Sequence, residues 1–124
     1  MGIGISTPGY KLDVCGTIRS KEWIVEATGC DFVFEDTYKR MSFEEKDKWF
    51  KEKKHLRGIA PASELEKDGM KAGETLSGII MNVEENSLDL IDIYKENQEQ
   101  RKQIEKLTLY ILQLEKRISG LENK

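Results

Sequence analysis

The chain has 124 residues, enough for one ordinary domain at most, and 35% of them are charged against 38% hydrophobic. That composition is too polar for a generous globular core and is close to that of long-helix proteins. The formal net charge is −3, with acids and bases interspersed, so no nucleic-acid partner is predicted. No run of about 18 apolar residues occurs, so no membrane insertion is predicted.

The first predicted domain, residues 1–34, is β-rich. Its segment YKLDVCGTIRSKEWIVEA alternates apolar and polar side chains on both sides of Gly16, which is typical of strand–turn–strand structure. The preceding STPG predicts a turn, and DFVFE is a third short apolar run. We therefore expect this domain to contribute short β segments.

The same domain holds both cysteines, Cys15 and Cys30. No further Cys or His lies near them in the sequence, so they cannot form a four-ligand metal site within one chain. No metal site and no cofactor is predicted. A disulfide between the two cysteines is one alternative, and two free, partly buried thiols are the alternative that we favour.

The second predicted domain, residues 35–73, consists of two short helices joined by the loop HLRGIAPA. Ser42 and Glu45 form a capping box that opens the first helix, FEEKDKWFKEKKH. Ser63 and Glu66 form a second box that opens ELEKDG, which a glycine ends. The aromatic side chains of the first two domains are expected to form a small core: Trp23, Phe32, Phe34, Phe43, Trp49 and Phe50.

The third predicted domain, residues 74–124, is a proline-free helix with seven uninterrupted heptads. Eleven of its fourteen seam positions are apolar, and a 3.5-residue period of this length indicates a coiled coil. The a positions are Leu76, Val83, Leu90, Asn97, Ile104, Ile111 and Ile118, and the d positions are Ile79, Asn86, Ile93, Gln100, Leu107, Leu114 and Leu121.

A helix of this length extends about 70 Å, and the first two domains are too small to cover it. A single solvated helix is the alternative. It would forgo about 1.5–3 kcal/mol for each large apolar side chain left in water. We therefore predict that the helix packs against copies of itself.

Two features of the seam favour different strand numbers. Ile at a with Leu at d, together with Asn97 at a, favours two parallel strands. Arg117 at g and Glu122 at e match the R-h-x-x-h-E pattern of trimeric coiled coils, in which the guanidinium pairs with a neighbouring Glu. Glu96 at g and Arg101 at e are complementary in the same way, which favours a parallel direction. We favour the parallel homotrimer over the dimer.

Three segments resemble those of fibre proteins. GIGISTPGYKLDVCGTIRSKE resembles a segment that precedes the C-terminal tip in phage tail-fibre and related surface-fibre proteins. The following stretch, from DFVFED to MKAGE, is similar to a tip module of Bacteroidetes proteins and their phages, and KLTLYILQ is similar to the helix after it. Arg57 and Ala60 depart from the pattern, which usually has prolines there.

The resemblance implies an α+β parallel homotrimer. In it, short β segments intertwine, two small helices pack outside, and a long three-stranded coiled coil follows. It also implies a location in a virion tail fibre or an extracellular surface fibre. The start within a GIG motif indicates that the chain is a piece of a longer fibre.

Related fibre tips include the endosialidase-type intramolecular chaperones, which assist trimerisation and then cleave themselves with a Ser, an Asp and a nearby Lys. Ser20–Lys21 is the nearest approach to that set, but the Asp is missing. Adjacent side chains on a strand also point to opposite faces, so Lys21 would not activate Ser20 in its own chain. His55, the single histidine, is expected to pack and to form hydrogen bonds.

We therefore expect a non-enzymatic structural module that trimerises, ends a fibre and aids folding of the shaft. The main alternative is an autoproteolytic chaperone of the endosialidase type. A third interpretation is a receptor-binding tip, in which the loop HLRGIAPA contacts a cell-surface receptor.

Overall fold

The structure is a computed structural model that describes residues 1–26 and 31–123. Two short strands, β1 (Gly2–Ile3) and β2 (Asp13–Val14), precede a 3-10 helix (Asp31–Phe34). Three α-helices follow: α1 (Phe43–Lys53), α2 (Ala62–Asp68) and α3 (Ala72–Glu122). This helix-rich chain with a small β element and a long C-terminal helix agrees with the coarse class predicted from the sequence.

The two strands pair in parallel over two residues each. The Asp13 amide donates to the Met1 carbonyl oxygen at 2.9 Å, and the Cys15 amide donates to the Ile3 carbonyl oxygen at 2.8 Å. The Gly9 amide donates to Asp13 Oδ2, also at 2.9 Å. The predicted STPG turn is therefore part of a loop that an aspartate side chain closes.

The second half of the predicted strand–turn–strand segment is not a strand in the structure. Residues 17–26 form neither helix nor strand, and Ile18, Trp23 and Ile24 are all exposed. A strand needs a neighbour to satisfy its backbone hydrogen bonds. In the described part of one chain that neighbour is lacking for this segment. DFVFE, the third short apolar run of the domain predicted to be β-rich, contains no strand, and its first four residues form the 3-10 helix.

The predicted capping box at the start of α1 is confirmed. The Glu45 amide donates to Ser42 Oγ at 3.1 Å, and the Ser42 amide donates to Glu45 Oε2 at 3.2 Å. The second predicted box is wrong, because α2 begins directly after Pro61 and Ser63 lies inside its first turn. Pro61 suits this position, since its ring fixes φ and no amide hydrogen is left unpaired there.

The chain has little apolar core of its own. Val33, at 3% exposure, is the buried apolar residue of the described part, and its 3-10 helix packs on α3. The predicted aromatic core is wrong: Trp49 is half-buried, but the other five aromatic side chains are exposed. Most of the large apolar side chains therefore remain in contact with solvent, and the longest run of them lies on α3.

The loop after α1 lies directly on α3 at two glycines. Gly78 of α3 is buried, and a Cβ atom there would lie 2.4 Å from the Gly58 carbonyl oxygen. Gly58 has a φ of +79°, a conformation that favours glycine. One turn further along α3, Asn82 Nδ2 donates to the Arg57 carbonyl oxygen at 2.9 Å. The backbone of this loop is therefore held against the helix.

We expect Gly78→Ala to destabilise the protein by about 1–3 kcal/mol, because its Cβ atom would push the loop backbone off α3. Gly120→Ala is the matched control in the same helix, since a Cβ atom there meets nothing within 4 Å. It should stabilise the protein by about 1 kcal/mol per chain through helix propensity. Urea unfolding at fixed chain concentration measures both. Equal effects of the same sign would contradict the packing of the loop on Gly78.

Candidate oligomerisation face on the long helix

The predicted seam lies along one face of α3 and is uncovered. Thirteen of its fourteen residues are exposed in the single chain, and Leu114 is half-buried. Among the ten exposed apolar seam side chains, the exposed fraction ranges from 38% at Ile93 to 69% at Leu121. An apolar stripe of this length on a 51-residue helix is a surface that other protein is expected to cover.

The rest of the chain packs on the other faces of α3. Between residues 74 and 92, the buried residues of α3 are Gly78 and Glu85, both at heptad position c. The half-buried residues there all occupy positions b, f or g: Thr75, Ser77, Met81, Asn82, Glu84, Leu88 and Asp89. The a, d and e positions of this stretch are exposed. We call residues 31–71, which precede α3 and pack on it, the tip.

A buried carboxylate joins the tip to α3. Glu85 is 3% exposed, and its Oε1 atom accepts a hydrogen bond from the Tyr38 hydroxyl. Arg57 approaches the same atom at 3.4 Å and donates to the Tyr38 oxygen at 2.8 Å. Lys46 Nζ of α1 lies 3.8 Å from Glu85 Oε2. Two cations and a phenol therefore surround one buried acid.

Asp89 extends this ionic cluster by one turn of α3. Its carboxylate accepts from Lys46 Nζ at 2.5 Å and from Arg40 at 2.7 Å. The second guanidinium nitrogen of Arg40 donates to Asp92 Oδ2 at 2.7 Å. The hydrogen bond to Asp92 is the main cause that raises the pKa of Arg40. Burial, followed by the hydrogen bond to Glu85, raises the pKa of Tyr38. Both groups therefore keep their protons as hydrogen-bond donors.

Glu84 lies at position b of α3, on the side where the 3-10 helix packs. Its Oε2 atom is buried and has no hydrogen-bond partner among the described residues. Burial and the nearby charge of Asp31 raise the pKa of Glu84 above its usual value. The ionised form of this carboxyl group is thus disfavoured in the folded chain.

We expect Glu84→Gln to stabilise the protein near neutral pH. Because the pKa of Glu84 is higher in the folded than in the unfolded chain, the group lowers the free energy of unfolding at pH values above its folded-state pKa. This loss of stability disappears as the pH falls below the pKa of an ordinary glutamate. Glu84→Gln should therefore raise Tm near pH 7 and flatten its rise on acidification. Glu105→Gln, at an exposed b position, is the control and should change neither. Thermal melts across the acidic range check this, and parallel curves for Glu84→Gln and the parent would contradict it.

We call Arg117 and Glu122, the residues of the predicted inter-chain ion pair, the clamp. Arg117 and Glu122 are both exposed. None of the ion pairs found among residues 1–26 and 31–123 involves either residue, nor Glu96 or Arg101. Five residues apart on a helix, a g and an e side chain lie on opposite sides of the seam. Any pairing between them has to come from different chains.

Two apolar residues of α3 lie outside the seam near its C-terminal end. Leu109, at position f, is 61% exposed, and Leu112, at position b, is 53% exposed. They line an open groove together with Gln113 and Lys116. The heptad assignment does not account for this patch.

Among the described residues, no hydrogen bond joins Ser20, Lys21 and His55 to one another. Ser20 and Lys21 are exposed, and the segment that holds them is not the predicted strand. His55 is half-buried, with Nδ1 at 2.9 Å from the Leu56 carbonyl oxygen and its ring edge-on to Trp49. This agrees with the predicted packing and hydrogen-bonding role of His55.

The loop HLRGIAPA, the segment considered for receptor contact, is bonded to the rest of the chain. Its Arg57 binds Tyr38 and Glu85, and Ile59 is half-buried. Leu56 is its exposed apolar side chain, at 45%. The sequence alone gave no signal for this docking, because the ionic partners are 28 residues apart in the chain.

The cysteine predictions are settled for one residue. Cys15 is free but exposed, so the predicted partial burial is wrong for it, while Cys30 lies outside the described residues. Within the described ranges, no three His, Cys, Asp or Glu side chains are grouped to hold a metal ion. No helix of the described chain has the length and apolar character needed to cross a membrane.

Comparisons of the chain with protein-family models, with curated proteins and with solved structures find no match.

Proposed function

We propose that this chain is a trimerisation module in which three copies associate in parallel through the a and d positions of α3. The observation that carries the proposal is the division of α3 into two sets of faces. The tip packs on positions b, c, f and g, whereas thirteen of the fourteen a and d residues of the seam are left exposed. Three such helices can meet at their seams without displacing the tips.

The energetics support association. Each large apolar seam residue contributes about 1.5–3 kcal/mol when it is transferred from water to an interior. Helices in water gain most of their stability from packing of an apolar face. Among residues 1–26 and 31–123, nothing covers the apolar face of the C-terminal half of α3. Association supplies that partner, and ordering of the helix offsets only part of the gain.

The strand number and direction rest on residues beside the seam. A parallel, in-register arrangement places Arg117 of one chain beside Glu122 of the next, and Glu96 beside Arg101. Exposed ion pairs contribute less than about 1 kcal/mol each. These pairs therefore select the number and direction of strands more than they stabilise the assembly.

The biological role that we propose is structural. The module ends a tail-fibre-like protein on a virion or an extracellular surface, and it holds three shaft chains at a high effective concentration during folding. The resemblance of residues 2–22 and of KLTLYILQ to fibre proteins supports this role. We propose no enzymatic activity. Intact-mass measurement after folding tests this point, because a truncation that begins near Ser20 would indicate self-cleavage instead.

A charge exchange at the clamp tests the parallel direction. Arg117→Glu alone should lower Tm of the assembly by placing two acids side by side, and Glu122→Arg alone should lower it by pairing two cations. The double variant should restore Tm, because the ion pair is then rebuilt with its charges exchanged. Lys116→Glu, on the outer f position, is the control and should leave Tm unchanged. An antiparallel coil pairs g with g and e with e, so it would not be restored by the double exchange.

A further inference from the structure

A cavity of about 180 Å³ lies between α1 and α3, close to the seam. On the α1 side its wall includes Trp49, Phe50 and Leu56, and on α3 it is bounded by Asn82 and Asn86. Phe50 and Leu56 are each 45% exposed. Apolar side chains that line a cavity and also face solvent form a surface that its own chain leaves incomplete.

The cavity faces the position of a neighbouring helix. Asn86 is a d residue of the seam, and Asn82 is the g residue beside it. Around a helix of about 3.6 residues per turn, g adjoins d on one side of the seam and e adjoins a on the other. In a parallel coiled coil, the g side of one helix lies against the e side of the next. In the proposed parallel trimer, the edge of the cavity that Asn82 and Asn86 form therefore lies beside the e side of another copy.

On the e side of α3, a small residue lies opposite Asn82 and could be covered by the apolar side chains of the cavity. A g residue faces the e residue five positions further along the next chain, so Asn82 faces the neighbouring Ser87. Ser87 is small and lies between two larger e residues, Ile80 and Tyr94, which are 47% and 62% exposed. Its hydroxyl donates to the Val83 carbonyl oxygen at 2.8 Å within its own helix. Covering Ser87 with apolar side chains therefore leaves no hydrogen-bond donor unpaired.

We propose that Phe50 and Leu56 of one chain pack over Ser87 of the next copy, between its Ile80 and Tyr94. Each tip is then completed by a second chain, and the tips become a second ring of inter-chain contacts around the coiled coil. This inference rests on the parallel trimer proposed above, and it adds that the tip contributes to assembly as well as the seam. A second copy is the favoured occupant because the cavity edge is continuous with the seam through Asn86.

The fluorescence of Trp49 tests this proposal without altering the cavity. In a Trp23→Phe chain, Trp49 is the single tryptophan. Assembly should shift its emission to shorter wavelength and reduce its quenching by acrylamide, relative to chains kept apart by a seam substitution at Ile111. Unchanged emission and quenching in a protein with the mass of three chains would overturn this proposal alone. A single-chain mass would overturn the trimer as well.

Cross-linking tests the same contact directly. In a Cys15→Ser, Cys30→Ser background, a chain that has both Leu56→Cys and Ser87→Cys is treated with a short bis-maleimide. We expect products of two and three chains under denaturing conditions. Leu56→Cys with Thr108→Cys is the matched control, since Thr108 is also an e residue whose hydroxyl bonds back to its own helix, three heptads further along. Equal products from both pairs, or cross-links confined to single chains, would overturn the proposal.

Discussion

Ile111→Lys is expected to dissociate the assembly into single chains, whereas Leu112→Lys leaves it intact. The two residues are adjacent in α3, and both are 53% exposed in the single chain. Ile111 occupies the a position and Leu112 the b position, so only the first is covered in the proposed trimer. Each chain then loses about 1.5–3 kcal/mol of apolar burial, and three ammonium groups are brought together at one level of the seam, which adds a further cost.

Sedimentation velocity at one fixed chain concentration measures this pair of variants. Ile111→Lys should sediment as one chain, and Leu112→Lys should sediment as the parent protein does. Neither substitution weakens the helix itself, because the helix propensity of Lys is close to that of Leu and higher than that of Ile. Dissociation by both variants, or by neither, would contradict the assignment of the seam.

Glu85→Ala is expected to destabilise the packing of the tip on α3 by about 3 kcal/mol, the scale found when one partner of a buried ion pair is removed. Glu85 is 3% exposed and is surrounded by Tyr38, Lys46 and Arg57. After the substitution, the Tyr38 hydroxyl loses its acceptor. Lys46 and Arg57, which are both largely shielded from solvent, each lose a carboxylate partner. Lys46 retains Asp89, which limits the loss.

Asp92→Ala is the matched control within the same ionic cluster. Asp92 pairs with Arg40 at 2.7 Å, but its side chain is 56% exposed. Its loss should cost less than about 1 kcal/mol, as is usual for a surface ion pair. Urea unfolding monitored by Trp49 fluorescence in a Trp23→Phe background compares the two variants at one chain concentration, since the stability of an assembly depends on concentration. A cost for Asp92→Ala as large as that for Glu85→Ala would contradict the role of burial.

The sequence alone was sufficient to predict the long helix and the first capping box. A heptad repeat and an S-x-x-E box are local signals, and each depends on side chains within one or two turns. For this reason α3 and the start of α1 agree with the predictions. The end of α2 before Gly69 is a local signal of the same kind.

The parts that the sequence did not predict depend on long-range contacts. The five groups that surround Glu85 and Asp89 have no local signal in the sequence, because they are bonded across many residues of the chain: Tyr38, Arg40, Lys46, Arg57 and Asp92. The close approach of Gly58 to Gly78 likewise has no local pattern. The predicted strand after Gly16 was wrong although its local pattern was present. Alternation of side chains does not supply the second strand with which a strand must pair.

The mass of the protein in solution tests the central claim most directly. Light scattering coupled to size-exclusion chromatography measures it without any substitution. The proposed trimer predicts a mass of about three times the chain mass of 14.3 kDa. A mass of two chains would contradict the trimeric seam, and a mass of one chain would contradict association through α3 altogether.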